Sequence, residues 1–234
     1  MKNKSIRFVS SDSFAESAID PPIPASKTLP DWWLKMPSST DQSCPMREKR
    51  NETIKSCMPV LDALSAGYTQ RLWTDIYIKD DGKSYRYAIA PEPMIMRQYS
   101  HDHRFPVPED YYNIECAWQM PYIPQTPPGS SCLITHPVNR IDLPFFTMSG
   151  IIDTDADLFV RWGQLPFYIR KGFTGLIPCG TPLYQIIPFE RNKWKTEACA
   201  VDEDYRIKSE ARINKFFVGG YKKLNPCLEF LDIP

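Results

Sequence analysis

The sequence predicts a mainly β protein with a Pro-rich N-terminal arm and one helix near the C-terminus. Three observations carry this. Residues 125–194 are short apolar runs separated at close intervals by Pro, Gly and turn residues. The chain holds 23 prolines against 10 glycines, and proline breaks helix interiors and central strands. Period-two alternation recurs: residues 69–78 set Leu72, Thr74, Ile76 and Ile78 against Trp73, Asp75 and Tyr77.

Length and composition bound the rest. The 234 residues suit one large core with extensions. The expected division is a Pro/Trp-rich arm over 1–52, a β-rich core over 53–194, and a helix with a docking tail over 195–234. A chain of this size buries a core without disulfides or metal. Aromatics make up 13% of it, which marks a folded protein with long ordered connections.

Charge excludes some functions. The chain has 28 basic and 28 acidic residues, so no electrostatic footprint for nucleic acid or an anionic membrane follows. No apolar run approaches the ~18 residues that span a bilayer. The N-terminus is basic without an apolar segment and reads as no secretory signal. The seven cysteines are odd in number, with no CxxC pair. They read as reduced, mostly buried thiols of a cytosolic protein. No Cys/His cluster suggests a metal site, and no cofactor is expected.

In chain order, residues 5–9 read as a strand and 11–18 as a polar stretch. Residues 19–37 are too Pro-rich for regular structure, except a short helix starting at Leu29-Pro30-Asp31-Trp32-Trp33. Its tryptophans read as anchors for the arm. Residues 38–51 read as a surface loop. Ile54, Cys57, Met58, Leu61 and Leu64 recur at three and four, which predicts a helix interrupted at Pro59. A strand over 69–78, an Asp-Gly turn at Asp80–Lys83 and a return strand over 84–90 form a hairpin. Residues 91–108 are loop-rich, with His101 and His103 at a polar tip.

A strand over 113–120 leads into the central stretch. There, strands are expected at 132–135, 145–152, 158–162, 165–169 (broken by Pro166), 173–177 and 182–187, joined as a meander. A helix over 202–217 and a coil with apolar docking residues close the chain.

Three pieces of the central stretch fall in a telling order: Pro127-Pro128-Gly129, Gly150-Ile151-Ile152-Asp153, and Gly180-Thr181-Pro182-Leu183-Tyr184-Gln185-Ile186-Ile187. Together they resemble the core of the trimeric dUTPases and their relatives, a β-clip fold. The resemblance covers about a quarter of the chain and implies a β-clip-like (dUTPase-like) core. It also implies that Asp153 activates a hydrolytic water and that Gln185 contacts a phosphate or sugar.

The family's phosphate-gripping Arg-Ser-Gly-Leu is absent. His136-Pro137-Val138-Asn139-Arg140 stands there instead, so His136 and Arg140 become anion-contact candidates, with Asp155 beside them. Ala66-Gly67-Tyr68 echoes an Ala-Gly-Tyr-Asp motif, with Thr69 in place of the aspartate. A nucleotide hydrolase of that family implies Mg²⁺.

Most of the chain also resembles a family of uncharacterised proteins of tailed, T4-like phages. The matching pieces are Leu29–Trp33, Thr53–Pro59, Ala66–Tyr68, Thr126–Gly129 and Gly150–Asp155. This implies a phage origin and no particular activity. No dinucleotide fingerprint, P-loop, nucleophile elbow or zincin motif is present.

The expected function is therefore a phage-encoded, non-enzymatic binding or assembly module of the host cytoplasm or virion. Its partner is a second copy or another protein. The alternative is a dUTPase-like nucleotide-binding or nucleotide-hydrolysing enzyme using Asp153, Asp155, Arg140, His136 and Gln185.

Overall fold

The structure, a computed structural model, describes residues 5–10, 12–40, 51–79, 85–87, 91–96, 107–112, 116–156, 163–200 and 202–215. It is mainly β, with a helix near the C-terminus. The elements in order begin with β1 (Arg7–Ser10), α1 (Ser13–Ala18), β2 (Ile23–Pro24), α2 (Asp31–Lys35), β3 (Ser39–Thr40), β4 (Asn51–Glu52) and α3 (Met58–Ser65). Then come β5 (Tyr68–Arg71), β6 (Ile76–Ile78), β7 (Tyr85–Tyr87), β8 (Met94–Met96), β9 (Cys116–Met120) and β10 (Tyr122–Gln125). The central stretch supplies β11 (Ser130–Thr135), β12 (Phe145–Thr147), β13 (Gly150–Ile152), β14 (Gly163–Ile169), β15 (Gly175–Ile177) and β16 (Pro182–Glu190). The last helix is α4 (Glu203–Lys215).

These fall into two compact units. The first lies within Met1–Thr28 and Gly67–Arg191, the second within Leu29–Ala66 and Asn192–Pro234.

In the first unit the sheets run β13-β11-β16-β5-β2, β12-β14-β9-β8, β15-β6-β7 and β1-β10. All pairs are antiparallel. The expected meander is not what forms, because the strands of 130–190 are dealt into three different sheets. The reason lies in the connections. Residues 145–152, expected as one strand, are β12 and β13, which pair with β14 and β11 respectively. Met148 and Ser149 cross between sheets, with the Met148 N–H bonded to the Pro166 carbonyl (2.8 Å) and the Ser149 hydroxyl to Thr135 (2.7 Å).

Residues 69–78 likewise divide into β5 and β6. Leu72 leaves the ladder, its N–H bonding Thr181 (2.8 Å) while its carbonyl accepts from Gly180 (2.7 Å). The hairpin strands do pair, Ile76 with Tyr87 and Ile78 with Tyr85, and the Asp-Gly turn lies outside the described residues.

The sequence predicts a break at Pro166, but β14 runs through it. Within a strand a residue's N and C=O face one side, and the Pro166 carbonyl faces Met148, just past the end of β12 at Thr147. The missing donor therefore costs no ladder bond. Within the polar stretch 11–18, Ser13–Ala18 is helical: the Asp12 carboxylate caps α1 by accepting from the Ala15 N–H (2.8 Å). The Tyr122 hydroxyl then donates to the carbonyl of Ile19 (2.8 Å).

The core gathers Trp118, Phe145, Phe167, Ile134, Leu183 and Ile186, all fully buried. Trp118 stacks on Phe167 at 3.6 Å between centroids and meets Phe145 edge-on. Its Nε1–H donates to the Thr147 hydroxyl (3.1 Å), which donates onward to the Leu183 carbonyl (2.8 Å). Cys116 and Cys132 are buried free thiols, and burial pushes Cys116 up to about 12. Cys179 and Cys199 are exposed.

In the second unit, α2 starts after Pro30, as its motif predicts. Trp33 is buried, and Lys55 Nζ donates to the carbonyls of Trp33 (2.7 Å) and Leu34 (3.0 Å) at the helix end. Residues 53–66 are a 3-10 turn followed by α3, with Pro59 in the first helical turn, where it fits, rather than interrupting. Along α4, Tyr205 and Ile207 are exposed. His101, His103, the strand expected at 158–162 and the docking tail lie outside the described residues.

One backbone approach is sterically exclusive. Gly67 has φ 65°, and a Cβ there would stand 2.1 Å from the Ile186 carbonyl oxygen. Gly180 has φ 87° but open space around it. Gly67→Ala is expected to cost about 3–5 kcal/mol, from a clash added to left-handed strain. Gly180→Ala is expected to cost about 1–2 kcal/mol, the strain alone. Urea unfolding of both variants measures this, and equal costs would refute the close approach.

Candidate functional site

The residues predicted from sequence form two clusters, one at each end of β11. Four residues of extended chain, about 13 Å, separate Ser131 from Thr135.

The first cluster sits where the Pro128-Gly129 turn enters β11. Gly129, at φ 83°, turns its N–H to Asp155 Oδ2 (2.8 Å). Asp153 Oδ1 accepts from the Ser131 hydroxyl (2.7 Å). Arg191 closes the cluster. Its Nη1 lies 2.9 Å from Asp153 Oδ1 and donates to Asp155 Oδ1 (3.0 Å) and to the Ser131 hydroxyl (3.1 Å); its Nη2 donates to Asp155 Oδ2. Between the two acids, Thr154 is buried and its hydroxyl meets that of Thr126 (2.6 Å).

Sequence reasoning nominated both aspartates and missed Arg191. The signal was strand register. Ser130 pairs with Glu190, and the Arg191 N–H then bonds the Gly129 carbonyl (2.9 Å). That delivers the arginine to the turn.

The electrostatics follow from the bonds. The Ser131 hydroxyl, then Arg191, hold Asp153 below its ordinary 3.8. Arg191, then the Gly129 N–H, do the same for Asp155. Both acids in turn raise Arg191. A carboxylate so held is a poor base. Among the described residues one arginine answers two carboxylates, a net charge that repels a polyphosphate rather than cradling it. Both Asp155 oxygens are given to Arg191 and Gly129, and Asp153 Oδ1 to Ser131 and Arg191; among the described residues that leaves Asp153 Oδ2 alone, fewer oxygens than a Mg²⁺ ion takes. Among the described residues no group of three or more His, Cys, Asp or Glu gathers at any one place.

The second cluster lies in the loop after β11. Residues Pro137 to Arg140 make a β-turn, with Asn139 at φ 59° and the Arg140 N–H on the Pro137 carbonyl (3.1 Å). Gln185, buried on β16, accepts the Val138 N–H at Oε1 (2.9 Å). The His136 ring is fixed at both nitrogens. Nδ1 accepts from the Thr147 N–H (3.2 Å), so Nε2 carries the proton and donates to the Arg140 carbonyl (3.0 Å). Burial pushes this histidine below 6.5. Arg140 forks onto Asp142 (Nε–Oδ1 2.9 Å, Nη2–Oδ2 2.8 Å), and its Nη1 reaches the Thr28 carbonyl (3.3 Å). These side chains hold the loop; they do not converge on a common point with Asp153.

No protein-family model matches the chain, and no curated protein matches it in sequence. Among solved structures it is similar to a mutant dUTPase from phage phi11 of S. aureus, a protein described with a coordinated structural Mg(II) ion. Identity is 15% over 48% of this chain and 98% of that one, with a TM-score of 0.24. At that level the likeness assigns no role to any residue here.

Two outcomes are expected. The clasp's stabilisation is present above pH 3.8 and is lost as pH falls through the depressed values of Asp153 and Asp155. Asp155→Asn should therefore lower Tm by a few degrees at pH 7 and flatten the acid loss below pH 3.8, read by calorimetry against the parent. A Tm unchanged at pH 7 would remove the clasp from the structure's support. For His136 the unfolded chain binds the proton more readily, so stability falls as pH drops below 6.5. Its ring resonances should titrate with a midpoint under 6.5, and a midpoint at or above it would contradict the neutral, doubly bonded ring.

Proposed function

We propose that this chain is a phage-encoded, non-enzymatic binding or assembly module built on a β-clip-like core. It works in the host cytoplasm or on the virion, with a protein partner or a second copy. The single observation that carries the reading is the clasp of Asp153 and Asp155 by Arg191. The carboxylate that a dUTPase-like mechanism needs as a base is bonded by Ser131 and Arg191. Catalytic groups are tuned toward the working pH, and this one is tuned away from it.

The β-clip-like core is supported by the way the motif pieces meet: the turn glycine Gly129 touches the aspartate two residues beyond the Gly-Ile-Ile-Asp segment. The phage origin rests on the resemblance of the chain's sequence motifs to the T4-like family. The second cluster supports the same reading, since His136, Arg140 and Gln185 each bond the protein's own main chain.

Turnover measurements test it. The purified protein with deoxynucleoside triphosphates and Mg²⁺ should release neither pyrophosphate nor phosphate above a buffer blank. Release that Asp153→Asn abolishes would overturn the reading and establish the dUTPase-like alternative. Mass spectrometry of purified virions then separates the virion role from the cytoplasmic one.

A further inference from the structure

We infer that the free edge of β15 is a docking groove for an extended peptide that ends in a carboxylate. The inference rests on the binding-module reading and gives that module a class of partner.

The groove is a cavity of about 360 Å³ with walls from Leu143, Phe173, Leu176, Ile177 and Arg170. Two of these are consecutive residues of β15. Neighbouring side chains of a strand point to opposite faces, and Leu176 is 53% exposed where Ile177 is 1%. A cavity that touches both adjoins the strand's edge rather than either face. Among the described residues β15 is the outer strand of its sheet and pairs with β6 alone. Its other edge presents main-chain N–H and C=O groups to a strand that comes alongside. Short length, charges, prolines or bulges usually blunt such an edge, and of these β15 has the short length, three residues. Gly175-Leu176-Ile177 carries no charge and no proline, and Pro178 follows only after the strand ends.

Charge sets the orientation and the terminus. Arg170, just past the end of β14, is held by its main chain. Its N–H donates to the Pro144 carbonyl (2.9 Å), it bridges to Tyr111, and its carbonyl accepts from Phe173 (3.2 Å). Its side chain sends Nη2 to the Ile141 carbonyl (3.3 Å), one of the five N–H donors a guanidinium carries. Arg170 also lines a second cavity of about 340 Å³, together with Asp110, Tyr111 and Lys171, two cations against one acid. The acid on the groove's wall, Asp142, is already forked by Arg140 and adds no free negative charge.

The groove is thus apolar along the strand and cationic at one end. That matches a peptide that adds main-chain bonds to β15, sets an apolar side chain against Leu143 and Phe173, and brings its terminal carboxylate to Arg170.

The test uses the full chain and an array of fluorescein-labelled hexapeptides, alternately valine and threonine, with each of the twenty residues in turn at the last two positions. Each peptide is made with a free carboxyl terminus and as the amide, and binding is read by fluorescence anisotropy. A subset of free-carboxylate peptides should bind, and amidation should weaken them about tenfold or more. N-methylation of alternate peptide amides should abolish binding, because it removes the strand's donors. Arg170→Gln should weaken binding about tenfold with Tm unchanged.

Equal binding of acid and amide, or indifference to N-methylation, overturns the proposal. So does binding of benzoate as tight as the best peptide, which would make the groove a small-anion site. Self-association that Leu176→Lys abolishes, with no peptide bound, would give the edge to a second copy and also overturn it. If no peptide binds at millimolar concentration and no nucleotide is turned over, the groove proposal fails while the binding-module reading stands. Asp153-dependent turnover sinks that reading instead.

Discussion

The strand β16 is the constraint on which the first unit depends. From Pro182 to Ile186 every residue is buried or nearly so on both faces. It keeps register with β11 over six residues and pairs with β5 on its other side, with one shift between Pro182 and Tyr184. A strand walled in this way has no freedom to slip, since one residue of slippage would send Gln185 into the place of Tyr184 or Ile186. Its fixed register has three consequences. Gly67 must come against the Ile186 carbonyl, where only glycine fits. Gln185 is delivered to the loop after β11. Arg191, past the strand's far end, is delivered to the turn before β11. The two polar clusters are therefore the two ends of one strand pairing.

Thr147 does the corresponding work between sheets. Its hydroxyl accepts from Trp118 and donates to Leu183, and its N–H bonds His136. Four elements are joined through one small residue that is itself fully buried. A buried indole N–H without a partner costs on the order of 1–3 kcal/mol, so the large apolar contact of Trp118 depends on that hydroxyl. The histidine belongs to the same arrangement. Its neutral form is the one that accepts from Thr147, and the desolvation that disfavours its charge is the same desolvation that stabilises the core around it.

Much of this was legible in the sequence, and what was not has a physical reason. Strand existence was readable from alternation and punctuation, as at β9, β11 and β16. Strand membership was not. Residues 69–78 alternate without a break, yet Leu72 bonds the loop at 180–181, a partner more than a hundred positions away. Alternation reports which face a residue takes, not which neighbour it pairs with. Pro166 was misjudged for the same reason, since its tolerance depends on where β12 stops. The short α1 was hidden because its only strong signal is the Asp12 cap, and polar residues around a cap also read as loop. Within the site, both aspartates were visible from their turn motif. Arg191 was not, because an arginine in a charged exit segment means nothing until β16 is paired.

The distinction that decides the functional reading is between polar groups that have partners within the protein and polar groups that do not. Asp153, Asp155, Gln185, His136 and Arg140 all bond the protein's own atoms. Each resembles a site residue in sequence because turns and buried loops need the same residue types that catalysis needs. Chemistry requires a group whose best partner arrives with the substrate. By that criterion the clasp reads as support, since Asp155 and one oxygen of Asp153 already have partners in Arg191, Ser131 and Gly129. Arg170 satisfies the criterion better: its backbone is fixed, its side chain gives one N–H to the Ile141 carbonyl, and it borders two cavities, one of them against β15. The motif residues build the scaffold, and the place where this scaffold offers unmet bonding capacity lies away from them.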